Sequence, residues 1–335
     1  MAETARSAMQ ALLGGFRVSQ MLAVAAKLRV ADHLREGPRT VRDLARATES
    51  CEDALYRVLR TLAGVGVFAE EDGPSFRLTP RAELLLTDVP GSLRVAAEVV
   101  GEEWNWRPWG ALWHTVKTGE TAFDHLYGES TWEWFAGHPA AARLFDQHMD
   151  GITSSEAQGV VAAVDFAGAR TVVDVGGGRG VLLAAILGRH RSARGILFNL
   201  PAVIEVARHT LDVDIAQRIE FVAGDFFQAV PGEGDTYILK NILHDWNDDR
   251  ARDILETCRR AMPRAATLLI IEHVVSPANQ LGPGHIADIQ MMVRNGGRNR
   301  TEEELRHLLA ASGFHLRRVI PTVGGPEVME TSLRE

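Results

Sequence analysis

Asp174 stands just before Val175-Gly-Gly-Gly-Arg-Gly180, and an acid set against closely spaced glycines is a place where a ligand can be held. Glycine lets a backbone turn sharply or lie close against a bound group, because no side chain intervenes. Gly176, Gly178 and Gly180 give the spacing GxGxG. The dinucleotide fingerprint GxGxxG fails, since its third glycine would fall on Val181 or Leu183. No Gly-Lys-Ser/Thr is present, so the loop is not a P-loop. A carboxylate beside the loop suits a ligand carrying an amine or sulfonium and suits a pyrophosphate poorly. Together these features point to S-adenosylmethionine (SAM), whose spent form is S-adenosylhomocysteine.

More polar groups end the apolar runs that follow. Asn199 closes Gly-Ile-Leu-Phe-Asn, at a position where ribose hydroxyls usually meet a carboxylate. Asp225 can accept from an adenine amino group, and the adjacent Phe226 can pack on the ring. Further on come Lys240-Asn-Ile-Leu-His244-Asp245-Trp246 and Glu272-His273.

The elements that must position these groups alternate. Strands are expected at Thr171–Val175, Gly195–Phe198, Ile219–Val222, Thr236–Lys240 and Leu268–Glu272, with helices between them at Val181–Leu187, Val203–Thr210 and Arg250–Ala261. That alternation argues for an α/β fold with a doubly wound, mostly parallel sheet. Ligands then bind at the carboxyl ends of the strands. Thr301-Glu-Glu-Glu304 reads as a capping box starting a last helix. Two strands, Leu316–Ile320 and Glu327–Leu333, close the chain with little between them, so an antiparallel strand is expected there.

The amino-terminal part is different. Residues 8–36 carry a broad apolar surface, including Leu12, Leu13, Phe16 and Met21. Core packing would explain it; a subunit interface explains it better. Two capping boxes, Thr40-Val-Arg-Asp43 and Ser50-Cys-Glu-Asp53, open successive helices. A hairpin follows through Glu70–Gly73, which completes a winged-helix pattern. Its arginines, Arg57 and Arg60, read as solvated charges on a scaffold or dimerisation module rather than as DNA contacts. Residues 91–165 are helical and hold six of the seven tryptophans. Aromatics at helical spacing are commonly core, but beside a ligand-binding domain some also suit a pocket for a flat apolar molecule. The expected division is a dimerisation domain over 1–95 and a cofactor-binding domain over 96–335, with 96–165 as the substrate-facing helical segment.

Composition agrees with a soluble enzyme. A net charge of −8 disfavours general nucleic-acid binding, two cysteines give no disulfide framework, and no apolar run reaches membrane-spanning length. A cytoplasmic location is expected.

With these motifs in view, the chain resembles the SAM-dependent O-methyltransferases of the plant caffeic acid and flavonoid type and their bacterial natural-product relatives. The resemblance rests on VVDVGGGRG, NLPAVI, GDFF, LKNILHDWND and IADIQMMVRNGGRNRTEEE, and on the amino-terminal winged-helix module. It implies a homodimer joined through the amino-terminal domain, and an aromatic small molecule as methyl acceptor, in secondary metabolism. It implies cofactor contacts at Asp174, Gly176, Gly178, Gly180, Asn199, Asp225, Phe226, Lys240 and Trp246, the last stacking on adenine. It implies His244 as general base, with Glu272 on the other ring nitrogen and a second supporting position at Asn299. Trp104, His148, Met149, Asp288, Met291 and Met292 are implied as substrate contacts, although the two last methionines read equally well as core. A phenol near pKa 10 is mostly protonated at neutral pH, and a histidine near 6.5 can take its proton. The sulfonium methyl is already activated, so no metal is expected. Asn199 and Asn299 stand where the family carries carboxylates. That departure leaves an alternative: a relative that keeps SAM but hydroxylates, decarboxylates or rearranges its substrate.

Overall fold

A computed structural model describes residues 4–334, and the chain divides into two compact units. The first runs to Arg107 and includes Arg143–Gly151. Its long helix Ala5–Lys27 is followed by the helices Val41–Ala47 and Glu52–Gly64 and by a three-stranded antiparallel sheet. The strands are β1 (Arg39–Thr40), β2 (Phe68–Glu71) and β3 (Ser75–Leu78), in the order β1-β3-β2. Leu44, Leu55, Leu59, Leu62, Phe68 and Phe76 form the core of this unit. Helix, helix and hairpin thus make the winged-helix arrangement. Thr40 caps its helix as expected, accepting from the Asp43 N–H. The second helix start is shifted: Cys51 is the cap residue, and the Ser50 hydroxyl turns to Thr48 at 2.8 Å instead. Ser50 has a nearby hydroxyl partner, which outcompetes the helix N–H groups. On Ala5–Lys27, Leu12, Leu13 and Phe16 lie exposed in this single chain.

The second unit is built on a seven-stranded sheet, in the order β6-β5-β4-β7-β8-β10-β9. Its strands are β4 (Thr171–Val175), β5 (Arg194–Asn199), β6 (Ile219–Ala223), β7 (Thr236–Lys240), β8 (Thr267–Glu272), β9 (Phe314–Ile320) and β10 (Glu327–Leu333). The first five pair in parallel, and β10 runs antiparallel to both β8 and β9. The central strands are apolar on both faces because helices cover both, and two separate clusters fill the two sides. Each strand begins or ends within two residues of its expected bounds. The helix Glu302–Ala311 opens on the expected capping box, with Thr301 and Glu304 bonding reciprocally. No helix among the described residues is long and apolar enough to cross a membrane.

Candidate active site

Parallel pairing brings the carboxyl ends of β4, β5, β7 and β8 side by side, and the polar groups expected from sequence gather there. Asp174 pairs across with Leu197 on β5 and Ile238 on β7, which buries its carboxyl group to 1% exposure. Neither carboxylate oxygen has a hydrogen-bond partner among the described residues. Burial pushes this acid up to about 7, against a smaller opposing pull from the charge of Lys240. The glycine loop wraps around it. Gly176, Gly178 and Gly180 all have positive φ, and a Cβ on Gly177 would collide with the Asp174 carboxyl group. No side chain caps the helix Val181–Arg189 that follows, so its first N–H groups remain for a ligand or water.

The neighbouring strand ends supply the rest of the cradle. The Asn199 Oδ1 accepts from the Leu200 N–H at 2.7 Å, which leaves the amide NH2 group as its donor. Asp225 folds its carboxylate back onto the Phe227 N–H at 2.9 Å. Trp246 packs edge-on against Phe227 at 4.8 Å and Phe226 at 6.3 Å, and stacks on Trp132 at 6.4 Å. Lys240, expected among the cofactor contacts, is held by an acid from a helix. Its ammonium is 2.8 Å from the Glu156 carboxylate, on the helix Pro139–Ala163.

His244 lies on a short 3-10 turn, Leu243–Asp245, immediately after β7. Its ring is nearly buried, and Nδ1 has no partner among the described residues. Burial and the positive charges of Lys240, Arg294, His273 and Arg300 lower it to about 3, so the imidazole is neutral at physiological pH. The turn is held from both sides. Glu272 accepts the His244 backbone N–H at 2.9 Å. Arg300, 1% exposed, donates to the carbonyls of Leu243 and Trp246 at 3.0 Å each and to Asp248 at 2.9 Å. Gly297 permits this packing, because a Cβ there would strike the His244 carbonyl.

Two expected contacts therefore differ. Glu272 meets the backbone of His244 and not its ring, since the N–H groups of this tight turn point at the end of β8. Asn299 also does not reach the imidazole: its Nδ2 donates to the His273 carbonyl at 2.8 Å. The carboxylate nearest the ring is Asp245, whose Oδ1 is 3.8 Å from His244 Nε2. Asp245 is pushed up to about 7 by burial, and it accepts a hydrogen bond from Asn295. It does not cap the following helix, a task taken by Asn247. Asp288 accepts the Asn299 N–H at 3.0 Å, Met291 is buried with its sulfur 3.6 Å from Asn295 Nδ2, and Met292 is half-buried. Trp104, His148 and Met149 belong to the other unit, where Trp104 is buried edge-on to Phe145 at 6.3 Å. Asn241, Glu156 and Arg300 were not singled out from sequence. Asn241 had a signal: asparagine tolerates the left-handed backbone it adopts here, at φ 54°.

Comparison with known proteins fits this arrangement. The O-methyltransferase domain family matches residues 109–315, and the O-methyltransferase dimerisation domain family matches residues 10–88. The chain belongs to the O-methyltransferase family. It is similar to a phenazine O-methyltransferase of Lysobacter antibioticus, at 43% identity over 95% of this chain and 94% of that protein. It is also similar to a phenazine-1-carboxylate N-methyltransferase of Pseudomonas aeruginosa, at 31% identity over 94% and 93% of the two chains. Among solved structures, that of LaPhzM superposes with a TM-score of 0.95, at 42% identity and covering 98% and 99% of the two chains. The O-methyltransferase NcsB1 from neocarzinostatin biosynthesis, solved with SAM and 2-hydroxy-5-methyl naphthoic acid, superposes at 0.83 with 32% identity, covering 94% and 95%. The family thus includes members that methylate oxygen and members that methylate nitrogen.

Proposed function

We propose that this chain transfers the methyl group of SAM to a phenolic or similarly acidic hydroxyl of a flat aromatic molecule, with His244 as the general base. One observation carries the reading. A neutral, nearly buried imidazole with an uncommitted ring nitrogen is fixed on the same sheet edge as an unpartnered carboxylate in a glycine cradle. The residues present fit SAM: Asp174 answers a positive amine, the Asn199 amide answers a ribose hydroxyl, and Asp225, Phe226 and Trp246 offer an acceptor and rings to an adenine. Bound there, SAM supplies a methyl group already activated on sulfonium. The chain's own work is to exclude water, align the acceptor oxygen and take its proton at His244. Asp245, beside Nε2, stabilises the imidazolium that results. A homodimer through the amino-terminal unit is part of the same reading, supported by the dimerisation family match and by the exposed Leu12, Leu13 and Phe16.

Incubation with SAM and a panel of phenols and aromatic amines tests it, with mass spectrometry of the products. Methyl groups on phenolic oxygen together with released S-adenosylhomocysteine are expected. Methylation confined to amines would move the chain to the nitrogen-methylating branch, and SAM binding without any methylated product would favour a non-methylating reaction.

A pH dependence follows from Asp174. Its folded value lies near 7, well above the ordinary 3.8, so the ligand-free carboxyl is partly protonated at neutral pH. A cationic ligand needs it ionised, so binding releases a proton and tightens as pH rises from about 6 to about 8. Calorimetry of SAM binding in buffers of different ionisation enthalpy should show that release, and Asp174→Asn should abolish it. Proton uptake on binding would exclude Asp174 as the ligand's counter-charge.

A further inference from the structure

Two buried carboxylates, Glu156 and Asp174, lie within the field of the Lys240 ammonium at the carboxyl edge of the sheet. Lys240, at the end of β7, has its Nζ 2.8 Å from Glu156 Oε2, with both side chains less than a tenth exposed. The Thr153 hydroxyl on the same helix accepts from that ammonium at 3.3 Å. The second carboxylate is Asp174 on the adjacent strand β4, buried and without a hydrogen-bond partner among the described residues, though within the field of Lys240.

Glu156 is well anchored for this competition. Its other oxygen, Oε1, lies 3.3 Å from His273 Nε2. Its helix lies against the turn between β9 and β10: a Cβ on Gly159 would come within 3.2 Å of the Val323 carbonyl, and one on Gly325 within 3.5 Å of Glu156 Cγ. The carboxylate therefore has little room to swing, whereas a lysine side chain carries four rotatable carbons and can follow whichever acid attracts it.

We infer that Glu156 is a positioning residue that draws the Lys240 ammonium away from Asp174 and so keeps the Asp174 carboxylate open for the positive group of a bound ligand. This rests on the reading of Asp174 as the ligand's counter-charge. With Glu156 neutralised, Lys240 turns to the unpartnered Asp174 carboxylate, an internal ion pair forms, and a cationic ligand must displace it. The titratable groups around Lys240 are Glu156, with His273 beside it, Asp174 from β4, and the neutral His244 ring from the turn after β7. Lys240 is the charge that reaches Asp174.

The test needs no ligand at first. Carboxyl carbon NMR of aspartate-labelled protein follows the Asp174 titration, assigned by its loss in Asp174→Asn. Glu156→Gln should lower the midpoint by about one pH unit, as expected when an opposite charge moves next to an acid. Glu156→Gln with Lys240→Gln should return it to the wild-type value or above. In calorimetry, Glu156→Gln should weaken SAM about tenfold, the equivalent of that shift, and the double variant should recover. An unmoved Asp174 midpoint in folded Glu156→Gln overturns the inference, as does a SAM loss that the second substitution fails to reverse. If Glu156→Gln does not fold, Lys240→Gln alone decides. Unchanged or tighter SAM binding supports Lys240 as a competitor, and a loss of threefold or more makes it a ligand contact and overturns the inference. Wild-type protein that fails to bind SAM would sink the cofactor reading, while the ligand-free titration would still judge Glu156.

Discussion

His244→Ala should lose about 10²- to 10⁴-fold in turnover while its affinity for SAM stays within about twofold of wild type. That range is what a positioned general base ordinarily contributes. Cofactor affinity is spared because Asp174 and the glycine cradle belong to β4 and the loop after it, whereas the imidazole projects from the turn after β7. The ring is held low, at about 3, so its role is that of a neutral acceptor across the physiological range and not of a standing cation. Asp245, 3.8 Å from Nε2, is then the group that makes the transient charge tolerable. Protonation of His244 should accordingly contribute no fall in turnover near 6.5, where an exposed histidine would protonate, and a fall near 7 at saturating SAM belongs to Asp245. Turnover in His244→Ala within threefold of wild type would remove this residue as the base.

Arg300→Met is expected to destabilise the protein by about 2–4 kcal/mol, the consequence of leaving two turn carbonyls without their donor. The guanidinium is 1% exposed and donates to two turn carbonyls as well as to Asp248. Methionine fills similar volume and leaves those carbonyls without donors. Glu272, already raised to about 7 by burial, also loses the positive charge that steadies its ionised form. Since this turn carries His244, turnover should fall alongside stability. Arg300→Lys should recover only part, because an ammonium cannot reproduce the planar fork. Urea unfolding measures the first effect and steady-state kinetics the second. A loss under 1 kcal/mol would mean that the turn holds without this clamp.

Much of this was legible in the chain itself. Strand positions, the glycine loop and the final capping box are local signals, written in periodicity and in residues with few alternative uses. The groups around His244 were harder. Glu272 and Asn299 are expected to support the imidazole ring, but Glu272 meets the backbone N–H of His244 and Asn299 the carbonyl of His273, because the atom each meets depends on the tightness of a three-residue turn. Glu156 gave no signal at all: in a long helix, an acid following two serines reads as a solvated charge. Its burial goes with two partners far along the chain, Lys240 and His273. The Ser50 cap failed for the opposite reason, a local competitor at Thr48 that pattern alone does not rank.

The strand order carries a consequence for how the molecule is made. β10, Glu327–Leu333, lies between β8 and β9, both of which emerge from the ribosome before it. During synthesis the apolar β8 stays an open edge, liable to pair with another chain, until the last strand arrives to cover it. Completion of the sheet thus waits on β10, and a chain halted before Glu327 would hold the whole cradle yet leave that edge unsealed.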